Sequence, residues 1–188
     1  SGGGTVTGQL DVQFLQDLTG SFADDIANVQ SLIPQIVSAL QAFQPTSEFG
    51  VSTFRDKPID PFGAVDDWVY DTLMPLSTSA ADLTAAYNAM IANNGNDGPE
   101  AQLEALMQLA LRAQTEVGFQ SNAARFVVLF TDAEFHVAGD GAQAGITTPN
   151  NGDAIYYLNT VKEDGSLDRT TTNDYNAAQD VVVGNPNP

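Results

Sequence analysis

Leu10-Asp11-Val12-Gln13-Phe14-Leu15-Gln16-Asp17-Leu18-Thr19-Gly20-Ser21 runs from an apolar stretch straight into a turn carrying one carboxylate and two hydroxyls. Residues 10–15 read as a strand, and Ala23-Asp24-Asp25-Ile26 opens a helix immediately afterwards. The turn offers only oxygen donors, the ligand type preferred by a hard divalent cation. The same residues also suit a structural role. Ser21 with Asp24 three positions on matches a capping box, and Asp24 and Asp25 in a first turn would complement the helix dipole.

Outward from that turn, apolar runs alternate with helical periodicity, which predicts an α/β layered domain with a largely parallel sheet. Ile26, Val29, Ile33, Ile36, Val37 and Leu40 form one helical stripe over 24–43, with Pro34 expected to kink it. Residues 49–54 alternate like a strand, and 68–73 read as a shorter one. A helix is predicted over 80–91, ending in Asn93-Asn94-Gly95-Asn96. Pro99 sits where a first helical residue belongs, opening a helix to about residue 116. Residues 125–131 hold Phe-Val-Val-Leu-Phe, the expected central buried strand. Residues 139–152 are turn-rich, and 162–173 read as polar loop.

The charge is almost all of one sign. There are 24 acidic residues against 6 basic, a net charge of −18, although only 16% of residues are charged. Of the acids 18 are Asp, which favours loops, caps and cation ligands over helix faces. Such a surface excludes a nucleic-acid partner. A chain of 188 residues, 43% hydrophobic, is long enough for one domain that hides about 70% of its unfolded surface. Residues 1–8, with Ser1-Gly2-Gly3-Gly4, read as a linker or cloning scar, and 9–188 as the single domain. No apolar run reaches the roughly 18 residues of a membrane span, so no membrane insertion is expected. The absence of cysteine removes disulfides, thiolate metal sites and cysteine catalysis from consideration.

In an open parallel sheet, ligands bind beyond the carboxyl ends of the strands. Asp17, Asp56 and Asp132 each follow a predicted strand, and residues 94–100 lead towards another helix. Parallel neighbours would bring five or more carboxylates to one rim. Two unpaired carboxylates at ~4 Å repel by about 4 kcal/mol at an effective dielectric of 20, so bound cations are the natural way to keep them charged.

These segments, with Phe54-Arg55-Asp56-Lys57-Pro58, Asp97-Gly98-Pro99-Glu100, Phe130-Thr131-Asp132-Ala133 through His136, and Gly139-Asp140-Gly141, resemble the I-like domain of integrin β subunits, within the von Willebrand factor A superfamily. The resemblance continues through Ala144-Gly145-Ile146 and Pro149-Asn150-Asn151-Gly152, with a weaker echo at Asp174-Tyr175. It implies a three-layer, Rossmann-like fold with a mostly parallel sheet flanked by helices. It further implies a metal-ion-dependent adhesion site of Asp17, Thr19, Ser21, Glu100 and Asp132 for Mg²⁺ (or Mn²⁺). An acidic group of a protein or other ligand would fill its open position. Asp24 and Asp25 match the adjacent Ca²⁺ site. Asp56, Asp97, the Pro99 carbonyl and Glu100 match a third Ca²⁺ site, with Glu100 bridging two ions. Where integrins place an Asn ligand this chain has Gly95, leaving Asn94 or Asn96 as candidate donors.

The segment between Pro58 and Trp68 is short, so the long disulfide-closed specificity loop is missing. The sequence ends shortly after Asp180-Val181-Val182-Val183, which suggests a shortened or bacterial-type relative lacking the last strand and helix. The expected function is metal-mediated adhesion at a cell surface or outside the cell. The rivals are a Ca²⁺-stabilised structural module and a Mg²⁺ hydrolase. The hydrolase fits poorly, because Thr19 stands where a second acid is needed and no lysine follows until Lys57. His136 is expected to be a hydrogen-bonded structural residue, Asp140 a turn residue, and Phe62 and Trp68 to pack beneath loops. Arg55 and Lys57 are expected to balance local charge.

Overall fold

β1, Leu10–Asp17, is buried along nearly its whole length and forms the spine of the sheet. The computed structural model describes residues 8–64, 66–137 and 139–145, together with the backbone of two short strands at 160–161 and 167–168. β1 pairs in parallel with β2, Glu48–Phe54, on one side and with β4, Ala124–Phe130, on the other. β3, Asp71–Ser77, adds antiparallel to β2, giving the order β3-β2-β1-β4. Because side chains alternate along a strand, β1 feeds two cores. Val12 and Phe14 pack with Val29, Ile33 and Val37 of α1, Ile26–Phe43, and with Leu83 and Tyr87 of α2, Ala80–Asn88. Leu15 packs on the opposite face with Ala105 and Leu109 of α3, Gln102–Leu111, and with Val117 and Phe119 beyond it. Helices on both faces of a mixed, mainly parallel sheet make the three-layer α/β architecture.

Several local expectations are corrected. β4 is not central: it has no partner on its outer side among the described residues, and Phe126 is 50% exposed. The third strand begins at Asp71 and runs antiparallel, whereas Trp68 lies in the preceding loop, its carbonyl accepting from Arg55 N–H at 2.8 Å. α2 stops at Asn88 instead of residue 91; Ser79 caps it, its hydroxyl accepting from Asp82 N–H at 3.2 Å. α3 begins three residues after Pro99, at Gln102, and gives way after Leu111 to a π-helical turn, Ala113–Val117. A 3₁₀ turn, Ser21–Asp24, precedes α1, and the capping box does not form because the N-cap is Asp25, without a side-chain cap. α1 continues through Pro34 for 18 residues. In the stretch read as polar loop, Leu167–Asp168 (β6) pairs antiparallel with Thr160–Val161 (β5). The expectations for Ile146, residues 149–152, Asp174-Tyr175 and residues 180–183 fall outside the described residues.

At Gly50 the backbone of β3 lies too close to β2 to admit a Cβ. The pairing register shifts between Phe49 and Val51, and a Cβ on Gly50 would overlap the Gln13 side chain and stand 2.6 Å from the Met74 carbonyl oxygen. Gly50→Ala is therefore expected to destabilise by about 1–3 kcal/mol through overpacking. A lowered urea midpoint with an unchanged slope would be its signature.

Candidate functional site

Parallel pairing carries three chain segments to one edge of the sheet. Asp17 ends β1, Asp56 lies two residues beyond β2, and Asp132 lies two beyond β4. Residues 93–100 cross this edge and are fastened to it. Asn93 N–H donates to the Leu18 carbonyl at 3.0 Å, Gly20 N–H to the Asn94 carbonyl at 2.6 Å, and Glu100 N–H to the Glu134 carbonyl at 2.8 Å. Gly95 adopts φ +75°, and a Cβ there would meet Thr19 Cβ at 3.3 Å and Glu100 Oε1 at 3.4 Å. Glycine thus lets this segment lie directly over the turn.

Two side chains hold the loops in place, and both do more than the sequence suggests. Arg55 Nε donates to the Leu18 carbonyl at 3.2 Å, Nη2 donates to the Ile91 carbonyl at 3.4 Å and to Asn93 Oδ1, and the guanidinium lies 4.2 Å from the Trp68 ring centre. It also pairs with buried Asp67 at 3.5 Å. Gln102, at the start of α3, donates to Thr131 Oγ1 at 3.0 Å, the Ala133 carbonyl at 3.1 Å and the Glu134 carbonyl at 3.2 Å, bracing the loop that presents Asp132. Phe62 and Trp68 are buried as expected.

At the centre, Thr19 Oγ1 donates to Asp17 Oδ1 at 2.6 Å and lies 3.2 Å from Ser21 Oγ. Ser21 Oγ donates to Asp132 Oδ1 at 3.0 Å, and Thr131 Oγ1 donates to Asp17 Oδ2 at 2.8 Å. Glu100 is buried and feels the charges of Asp56, Asp17 and Asp97. The five residues Asp17, Thr19, Ser21, Glu100 and Asp132 therefore share one cluster that grades from buried Asp17 to exposed Ser21.

A second cluster adjoins it. His136 Nε2 stands 3.1 Å from Asp56 Oδ1 and 4.0 Å from Asp97 Oδ1, and these three side chains have the spacing of a metal-binding group. Pro99 directly precedes Glu100 at its edge. Asn94 is turned elsewhere, its Nδ2 donating to Asp66 Oδ1 at 3.3 Å, and the backbone N–H of Asn96 donates to the Phe62 carbonyl at 2.8 Å. Asp24 and Asp25 are exposed at the start of α1. His136 is hydrogen-bonded, as expected, but its place beside Asp56 and Asp97 goes beyond what the sequence indicates. The available signal was its spacing, four residues after Asp132 and four before Asp140.

So many buried carboxylates hold their protons tightly. Burial, then the charges of Asp56 and Asp17, push Glu100 up to about 10. Burial and then Asp56 raise Asp97 to about 6. Burial also raises Asp17, against the hydrogen bonds it accepts from Thr19 and Thr131. Asp56 Oδ2, Asp97 Oδ1 and Glu100 Oε2 are buried without a hydrogen-bond partner. Oxygen atoms left in that condition fit divalent cations, which would displace the protons and complete the coordination.

A mainly parallel three-layer sheet whose carboxyl edge carries an Asp-x-Thr-x-Ser turn facing converging acids defines a von Willebrand factor A domain. More narrowly, the chain belongs to the integrin β chain VWA domain family, whose model matches residues 7–183. Integrin beta-2 of Ovis canadensis is 28% identical over 176 residues, 85% of this chain and 23% of that protein. Integrin beta pat-3 of Caenorhabditis elegans is 30% identical over 176 residues, 82% of this chain and 21% of that one. The chain thus spans less than a quarter of the length of these relatives. A solved pilus adhesin, SpaC from Lactobacillus rhamnosus GG in an open conformation, aligns with a TM-score of 0.49 at 12% identity, over 88% of this chain and 18% of that one. Its family makes the chain an adhesion-type domain and not an enzyme. None of the described helices is long and apolar enough to cross a membrane.

Proposed function

We propose that this domain captures an acidic group of a partner through Mg²⁺ or Mn²⁺ held by Asp17, Thr19, Ser21, Glu100 and Asp132. The observation that carries this reading is the unbroken chain of oxygens from Asp17 through Thr19 and Ser21 to Asp132, reaching solvent at Ser21. Mg²⁺ keeps waters within its six-oxygen shell, and a partner carboxylate can replace one of them. Ca²⁺ at Asp24 and Asp25 would stiffen the same turn, and a third cation would sit among Asp56, Asp97, the Pro99 carbonyl and Glu100. The relatives' cell-surface character supports an extracellular placement.

Crystals grown with Mn²⁺ test the site directly through anomalous scattering. The expected result is a peak flanked by Ser21, Thr19 and Glu100; its absence would overturn the proposal. Ser21→Ala is expected to weaken Mg²⁺ binding by at least tenfold in calorimetry while the Ca²⁺-dependent rise in melting temperature persists. Were Mg²⁺ binding and Mg²⁺-dependent capture of carboxylate peptides both unchanged in Ser21→Ala, a Ca²⁺-stabilised structural module would be the better description.

A further inference from the structure

The second cluster differs from the first in one chemical respect: it contains nitrogen. We infer that Asp56, Asp97 and His136 form a mixed nitrogen–oxygen site selective for a borderline transition dication, with Zn²⁺ as its natural occupant, in place of the Ca²⁺ expected there. The inference rests on the reading of this rim as a cation-binding one and names the ion its third position takes.

Three observations support it. First, the donor atoms already converge, with the Asp56, Asp97 and His136 ligand atoms all within 4.8 Å of one another. A tetrahedral Zn²⁺ with bonds of ~2.0–2.1 Å needs neighbouring ligand atoms about 3.3 Å apart. The 3.1 Å and 4.0 Å separations of His136 Nε2 from the two carboxylates bracket that value. Second, Asp56 is fully buried with Oδ2 unpartnered, and Asp97 Oδ1 and Glu100 Oε2 are unpartnered as well.

Third, the imidazole is oriented as a ligand. Asp140 Oδ2 lies 3.4 Å from His136 Nδ1 and is itself held by the Val137 N–H at 2.9 Å. In the tautomer that donates Nδ1–H to Asp140, the Nε2 lone pair faces Asp56 Oδ1, and a cation shared by the two atoms would replace the Nε2–H···Oδ1 hydrogen bond of the other tautomer. A carboxylate on the far nitrogen of a ligating histidine is the usual second-shell device for fixing its tautomer. Phe62 packs edge-on against the ring, centres 4.7 Å apart, and limits its rotation. Asp97, 26% exposed, leaves an entry path.

Donor type then decides between ions. Ca²⁺ takes 6–8 oxygens and gains little from an imidazole, whereas imidazole nitrogen raises affinity along the series towards Zn²⁺.

The chain has one histidine, so its imidazole can be followed without any substitution. Zn²⁺ is titrated into the ¹⁵N-labelled wild-type domain and the two ring nitrogens are read by long-range ¹H–¹⁵N correlation. The expected result is a coordination shift at Nε2 with Nδ1 remaining protonated, and no such shift with Ca²⁺. In H136Q the ratio of Zn²⁺ to Ca²⁺ affinity should fall by about 10–100-fold, and D140N should lower Zn²⁺ affinity within the same range. A Zn²⁺ titration that leaves Nε2 unmoved, or an H136Q ratio equal to wild type, would overturn the inference. If Zn²⁺ fails at Nε2 while Mg²⁺ still binds the wild-type domain in a Ser21-dependent way, only this inference falls. If neither ion binds, the proposed function falls with it.

Discussion

Lys57→Met is expected to cost about 3–5 kcal/mol of stability, the range for removing one partner of a buried ion pair. Lys57 Nζ lies 2.8 Å from Glu104 Oε1, and both side chains are completely buried between the end of β2 and α3. Burial raises the Glu104 carboxyl, and Lys57 is the first of the influences that pull it back down. Without the ammonium, Glu104 must either stay charged in an apolar setting or take up a proton, and each option disfavours the native state. Chemical denaturation at neutral pH measures the loss. Adding Glu104→Leu to Lys57→Met should recover most of it, because an apolar pair of similar volume carries no desolvation penalty. A single substitution with an unchanged midpoint would mean that the pair contributes nothing.

The second large effect is a stability that falls as pH rises when cations are removed. Among the described residues, every carboxyl whose affinity for protons is clearly displaced is displaced upward: Asp11, Asp17, Asp67, Asp97, Glu100 and Glu104, with burial as the first cause in each. The native state then binds more protons than the unfolded chain above the ordinary carboxylate range. Their contribution is full below about pH 4 and is lost as pH climbs through the native values. For Asp97 that loss runs from the ordinary carboxylate range up to about 6, and for Glu100 up to about 10. With chelator present, the melting temperature should therefore drop steadily from pH 5 to pH 9. Saturating Mg²⁺ and Ca²⁺ should flatten the slope and add about 2.7 kcal/mol for each site filled at 100-fold excess over its Kd. Melting curves indifferent to chelator at pH 8 would contradict the cation reading.

The parts of this molecule legible in the sequence are those written in local patterns. β1, β2 and α1 follow from periodicity, and the Asp17 turn from five consecutive residues. The sequence points to the wrong third strand because Trp68, Val69 and Tyr70 form the stronger apolar run, yet they are buried in the loop that precedes it. The true strand, with Pro75 inside it, is half-buried at the sheet edge, where a missing N–H is tolerated. Phe126, Val127 and Leu129 look like a central strand because nothing in a single run of residues says how many neighbours it has. The Lys57–Glu104 and His136–Asp56 pairs join residues 47 and 80 positions apart and leave no local trace. Asp17, Asp56 and Asp132 are legible because each stands at or just past the end of a strand, whereas Asp97 and Glu100 lie in the segment between α2 and α3.

The pairing of β1 with β4 sets Gln16 opposite Phe130, which leaves Asp17 beside Thr131 and brings Asp132 within 3.0 Å of Ser21. A slip of one residue would preserve most of the backbone ladder while turning every β4 side chain to the other face. The Thr131–Asp17 and Ser21–Asp132 hydrogen bonds would both be lost. A cation held by Asp17, Ser21 and Asp132 would accordingly bind only molecules whose strands had settled in the native alignment. Such an ion would act as a proofreader of folding, drawing the population away from near-matched pairings before any partner is met.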